Sequence, residues 1–207
     1  KDMKKLIPIL LAVFALASCE KDPDMGKLDD NYLVYTNYDK QANFKDFSTF
    51  YLADKILVIS DSKEPEYLEG EGAEQILAAY TENMEAKGYQ PAADKESADL
   101  GIQVSYIAST YYFTGYTQPE WWWGYPGYWG NWGGWYYPYA VTYSYSTNSF
   151  ITEMVNLKAD EGEGKKLPVV WTSYLTGFET GSKAINRTLA IEAVNQSFTQ
   201  SPYLTNK

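Results

Sequence analysis

Residues 73–112 read AEQILAAYTENMEAKGYQPAADKESADLGIQVSYIASTYY, and two successive periods in them decide the fold. Ile76, Tyr80 and Met84 recur at i, i+4 and i+8 with Ala73 and Leu77 beside them, so Ala73–Lys87 reads as a helix with one apolar face. Gly88 can take the left-handed position that ends such a helix, Tyr89 can supply the contact that follows, and Pro91 prevents continuation. The period then falls to two. Leu100, Ile102, Val104 and Tyr106 share one face of a strand running from Ala98 to Tyr112. Upstream, Ser48–Ser60 holds two β-rich pieces, STFYL and KILVIS, on either side of Asp54. Strand, helix and strand at this spacing predict a right-handed parallel crossover, hence an α/β domain.

The flanks extend that unit. Tyr32–Tyr38 alternates aromatic or β-branched residues with others and reads as a first strand. Asp61–Gly72 is charged and carries Pro65, Gly70 and Gly72, the composition of a loop. Ala140–Ser146 alternates, with Val141, Tyr143 and Tyr145 facing one side and Thr142, Ser144 and Ser146 the other. Phe150–Leu157 and Pro168–Leu175 form a hairpin about the turn Asp160–Lys166, with Trp171 in the second arm. Ser182 caps a helix to about Thr199, stopped by Pro202. Its apolar residues, Ile185, Leu189, Ala190, Ala193, Val194 and Phe198, cover a broad arc, while Thr188, Glu192 and Asn195 mark the wet side. An arc that wide suits a helix lying across a sheet. The expected architecture is a two-layer sandwich. It has a mixed sheet, two main helices on one face and a long Gly/aromatic-rich loop between central strands.

Composition excludes several chemistries. The 207 residues suit one domain with its own core, and the net charge of −10 repels phosphate backbones, so nucleic acid is not an expected partner. There is no His, which removes imidazole acid–base catalysis and His–metal ligation. The only Cys is Cys19, which leaves neither an internal disulfide nor a Cys-based zinc site. The loop Gly177–Lys183 has the wrong spacing and order for a phosphate loop, and Asp160, Glu161 and Glu163 lack the ligand period of a calcium loop. The chain is therefore expected to be non-enzymatic, with no catalytic residue, no metal site and no cofactor.

The N-terminus states a location. Met3 is the expected start. Lys4 and Lys5 precede the apolar run Leu6–Leu16, which has the length of a signal-peptide core and is too short for a membrane span. Leu16-Ala17-Ser18-Cys19 resembles a bacterial lipobox, whose Cys is acylated and becomes the new N-terminus. Residues 1–18 are then a lipoprotein signal, residues 19–31 an acidic tether and residues 32–204 the domain. The expected place is the outer membrane, facing the periplasm or the cell surface, with the membrane as partner through lipid on Cys19. The acids after Cys19 resemble a surface-export signal of some Bacteroidetes lipoproteins; a plain flexible spacer fits them as well.

The segment from Trp121 to Tyr139, WWWGYPGYWGNWGGWYYPY, is the one functional candidate. It holds six Trp, five Tyr and five Gly, and no Leu, Ile or Val. Flat rings with N–H or O–H groups suit sugar stacking, membrane interfaces and protein contacts. The candidate contact surface is Trp121, Trp122, Trp123, Tyr125, Tyr128, Trp129, Trp132, Trp135, Tyr136 and Tyr137. Its partner would be an envelope protein or a glycan. The alternative is that the segment folds back over an open sheet face, making its rings core.

Short motifs add a family. Tyr38-Asp39 with Ala42-Asn43-Phe44, then Phe47-Ser48-Thr49-Phe50, Ala86-Lys87-Gly88-Tyr89 and Ser97-Ala98-Asp99-Leu100 occur in this order, followed by the hairpin with Trp171 and the helix ending near Pro202. This order resembles a family of bacterial envelope lipoproteins known as domain of unknown function 4136, over roughly Tyr32 to Leu204. The resemblance implies a two-layer α/β domain, sheet below and helices above, with a Gly- and aromatic-rich insertion between middle strands. It implies no catalytic residues. The charged loop Asp61–Gly72 departs from the family pattern.

Overall fold

Ten strands and two helices follow one another in the described residues of the chain. The computed structural model describes residues 32–60, 66–108, 111–117, 134–145, 148–159, 166–178 and 181–207, with 111–117, 140–145 and 185 described through their backbone. The strands before the first helix are β1 (Leu33–Tyr38), β2 (Thr49–Leu52), β3 (Ile56–Ile59) and β4 (Glu66–Leu68). Helix α1 (Glu71–Ala86) leads into β5 (Gln90–Pro91), β6 (Leu100–Ile107), β7 (Tyr111–Thr117), β8 (Trp135–Tyr145), β9 (Ser149–Asn156) and β10 (Leu167–Thr176), and α2 (Lys183–Thr199) follows. The sheet runs β4-β3-β6-β9-β10-β8-β7, with β1 on β10 and β2 on β5 and β6. Both β2 and β3 lie parallel to β6, which is the crossover that the two sequence periods predict.

The alternating residues of β6, Leu100, Ile102 and Val104, face the helices. They share one core with Ile76, Tyr80 and Met84 of α1, with Ala190, Val194 and Phe198 of α2, and with Met154 and Trp171. The expected mixed α/β sandwich is what forms. The polar atoms trapped in this layer are paired. Tyr80 shares a 2.6 Å hydrogen bond with Thr152, and burial pushes its hydroxyl up to about 12 even though hydrogen bonds from Thr152 and Ser173 act against the shift.

The short ordered motifs of the sequence are the joints of this fold. The Asp99 carboxylate accepts from the backbone N–H of Ser48 at 2.6 Å and of Thr49 at 3.2 Å, and the Asp99 N–H donates to Thr49 Oγ1 at 3.0 Å. Lys158 closes the set at 2.8 Å from the second carboxylate oxygen. Gly88 ends α1 with φ 102°, and Tyr89 N–H donates to Met84 O at 3.1 Å, the six-to-one bond of a left-handed cap. The Tyr89 hydroxyl reaches Phe44 O at 3.1 Å, and Trp171 Nε1 donates to Ser201 Oγ at 3.0 Å. Tyr203, just past Pro202, stacks on Tyr38 with ring centroids 3.6 Å apart.

Three boundaries differ from the sequence reading. The stretch read as the loop Asp61–Gly72 contains β4, because Tyr67 and Leu68 complete an antiparallel pair with Leu57 and Ile56, and α1 already starts at Glu71. The single strand read over Ala98–Tyr112 is two, since β6 pairs with β9 only as far as Ile107 and β7 pairs with β8 instead. The segment read as irregular from Trp121 to Tyr139 enters β8 at Trp135. Rings that favour strands outweigh the lack of aliphatic residues there.

Candidate functional site: the aromatic hairpin and its root

β7 and β8 form an antiparallel pair in which Tyr111 stands opposite Tyr145, Phe113 opposite Tyr143 and Gly115 opposite Val141. At the other end Thr117 pairs with Tyr136, so the two ends of the connecting segment are held side by side. The hairpin is tied to the main sheet at the same point. Leu167 and Pro168 of β10 run parallel to Trp135 and Tyr136, and Leu167 N–H donates to Gly134 O at 2.8 Å. Gly134 has φ 101°, a conformation that side chains resist, and it directs the chain into β8.

From this point β8 lays alternate rings inward. Trp135 and Tyr137 are 2% and 1% exposed and pack with Val155, Leu167 and Val169, with Tyr139 and Leu157 at the margin. Tyr137 and Tyr139 meet edge to face, with centroids 5.9 Å apart. The Tyr137 hydroxyl donates to Glu153 Oε1. Glu153, in the middle of β9, is 0% exposed. Gln103 of β6 and Thr172 of β10 are its neighbours across the sheet, and Asn37 of β1 continues the row. A carboxyl group removed from water is costly unless hydrogen-bonded, so this contact fixes where the aromatic strand crosses the sheet.

The predicted contact residues therefore divide. Trp135 and Tyr137 are core, which removes them from an exposed contact surface: strand alternation turns both toward Glu153 and Val155. Tyr136, between them, is half-buried. Trp121, Trp122, Trp123, Tyr125, Tyr128, Trp129 and Trp132 lie outside the described residues, as does Cys19. Glu153 was not singled out from the sequence. Its signal is a lone acid inside FITEMVN, a strand otherwise made of apolar and small uncharged residues. Neither Glu153 nor Asp99 is placed to meet a substrate: the first is sealed, and the second is held by three hydrogen-bond donors. Among the described residues no three His, Cys, Asp or Glu side chains could hold a metal ion. Among them too, no helix is long and apolar enough to cross a membrane.

Fold and site together define a mixed α/β sandwich with an aromatic hairpin rooted in its sheet. The chain belongs to the family described as "Domain of unknown function (DUF4136)", which matches residues 34–203. It is similar to a DUF4136 family protein from Bacteroides thetaiotaomicron, known from a crystal structure, at 97% identity and a TM-score of 0.76, over 86% of this chain and 100% of that one. A PDZ domain protein from Parabacteroides distasonis is similar at 11% identity and a TM-score of 0.37, over 83% of this chain and 36% of that one, which is too distant to carry an argument. No curated protein matches the chain.

Proposed function

We propose that this protein is a lipid-anchored lipoprotein of the cell envelope that works by contact and not by catalysis. Acyl chains on Cys19 hold it to the outer membrane, and the rings from Trp121 to Trp132 meet an envelope partner. The observation that carries the reading is the pairing of Thr117 with Tyr136 next to the buried pair Tyr137–Glu153. Both ends of the aromatic segment leave from one fixed place, and a rigid base lowers the ordering cost of binding. The lipobox and the apolar run Leu6–Leu16 support the anchor, and the lack of His and of a second Cys supports a non-enzymatic role.

Labelling cells with a fatty-acid analogue should mark the wild type and leave Cys19→Ser unmarked and released from membranes. Equal labelling of both would remove the anchor from this account. Capture assays with solubilised envelope proteins and with insoluble cell-wall polysaccharide distinguish a protein partner from a glycan.

A further inference from the structure

On the helix-covered side, away from the aromatic hairpin, a second surface is open. A groove of about 410 Å³ lies between α1 and the outer edge of β2, lined among others by Leu52, Asp54, Glu74, Leu77, Ala78 and Pro91. Its floor is apolar, with Leu52 and Leu77 half-buried and Ala78 and Pro91 exposed. Its backbone is also open. Ala53 N–H donates to Ile102 O, so Leu52, its neighbour in β2, points its own N–H and C=O to the opposite side. β5 occupies that side only as far as Ala92, whose N–H reaches Phe50 O at 2.8 Å. Among the described residues no backbone group bonds to Leu52 there.

The rim is mainly acidic. Glu74 and Asp54 stand on it, and Asp94 and Glu96, on either side of Lys95 in the sequence, lie close by: burial first, then the charges of Asp54, Glu96 and Asp94, raise the Tyr51 hydroxyl above its usual range. Lys55, just after β2, is engaged with Glu69 at 3.7 Å and over the Tyr67 ring at 5.1 Å. An open strand edge, an apolar floor and an acidic rim fit one kind of occupant. We propose that this groove docks an extended segment of a partner protein that carries Lys or Arg beside small apolar residues and adds to β2 at Leu52. The aliphatic stems lie along Leu77, Ala78 and Pro91, the cations reach Asp54 and Glu74, and the partner's backbone bonds to Leu52. The acidic rim speeds encounter with such a segment and rejects an acidic one.

The test uses the full chain and a synthetic probe, acetyl-Lys-Val-Lys-Val-Lys-amide, followed by NMR. The amides of Leu52 and Ala78 should shift on titration, and exchange at Leu52 should slow. The Glu-Val-Glu-Val-Glu counterpart and a probe N-methylated at its central residue should not bind. Ala78→Trp, which fills the groove from an exposed helix position, should abolish binding at an unchanged melting temperature. Joint replacement Asp54→Asn with Glu74→Gln should weaken binding by about fivefold or more, the scale of one or two exposed ion pairs. No shift at Leu52, equal binding of the acidic or N-methylated probe, or shifts centred outside the groove would each overturn the proposal.

Discussion

The hydroxyl of Tyr137 donates to the carboxylate of Glu153, and both residues are sealed from solvent at 1% and 0% exposure. This contact joins the aromatic segment to the middle of the main sheet. The Gly- and aromatic-rich segment is thus part of the core at Trp135 and Tyr137, just past Gly134.

Tyr137→Phe keeps the ring and removes the donor. It should lower stability by about 1–3 kcal/mol, the penalty for taking a partner from a buried polar group. Trp135→Ala should cost about 3–5 kcal/mol, since it empties a large buried site. Urea denaturation checks both. A Tyr137→Phe protein as stable as wild type would show that Glu153 draws nothing from the hairpin.

Gly88→Ala tests the cap of α1. A side chain at φ 102° is strained, and its Cβ would stand 3.0 Å from Lys207 Cγ. A flexible lysine can move aside, so the expected cost is mainly conformational, about 1–2 kcal/mol. Thermal melting reads it. Adding Lys207→Ala should not restore the loss.

Asp99 predicts a pH effect of known sign. Burial alone would raise its carboxyl, but the hydrogen bonds from Lys158, Ser48 and Thr49 outweigh burial and hold it below the ordinary 3.8. A group depressed in the folded state adds stability above its unfolded value and loses it as pH falls through the folded value. Asp99→Asn should therefore destabilise the domain at pH 7 and make less difference near pH 2. Lys158 is 56% exposed, so Lys158→Met should cost well under about 1 kcal/mol. An equal loss for Asp99→Asn at both pH values would contradict the assignment.

Local signals made most of the scaffold legible. The period of Ile76, Tyr80 and Met84 located α1, and Gly88 located its end, because both act within a few residues. The strand pairing of β2 and β3 with β6 followed from spacing. Long-range effects were hidden. Nothing local shows that β6 stops at Ile107, since the alternation of Leu100, Ile102 and Val104 is compatible with a longer strand; what ends it is the length of β9. Trp135 and Tyr137 look like their aromatic neighbours, and only the buried carboxylate of Glu153 and the edge at Leu167 distinguish them. The groove at Leu52 was not legible either, because its walls come from β2, α1 and β5 together.

The most direct measurement compares two replacements. Exchanging residues 121–133 for a Gly/Ser linker that stops before Gly134 should leave the melting temperature within a few degrees of wild type and abolish capture of the envelope partner or polysaccharide. Extending the exchange to Tyr139 should also remove Trp135 and Tyr137 and lower the melting temperature sharply. If the shorter exchange retains full capture, or destabilises as much as the longer one, residues 121–133 are not a contact surface, and the proposed function fails.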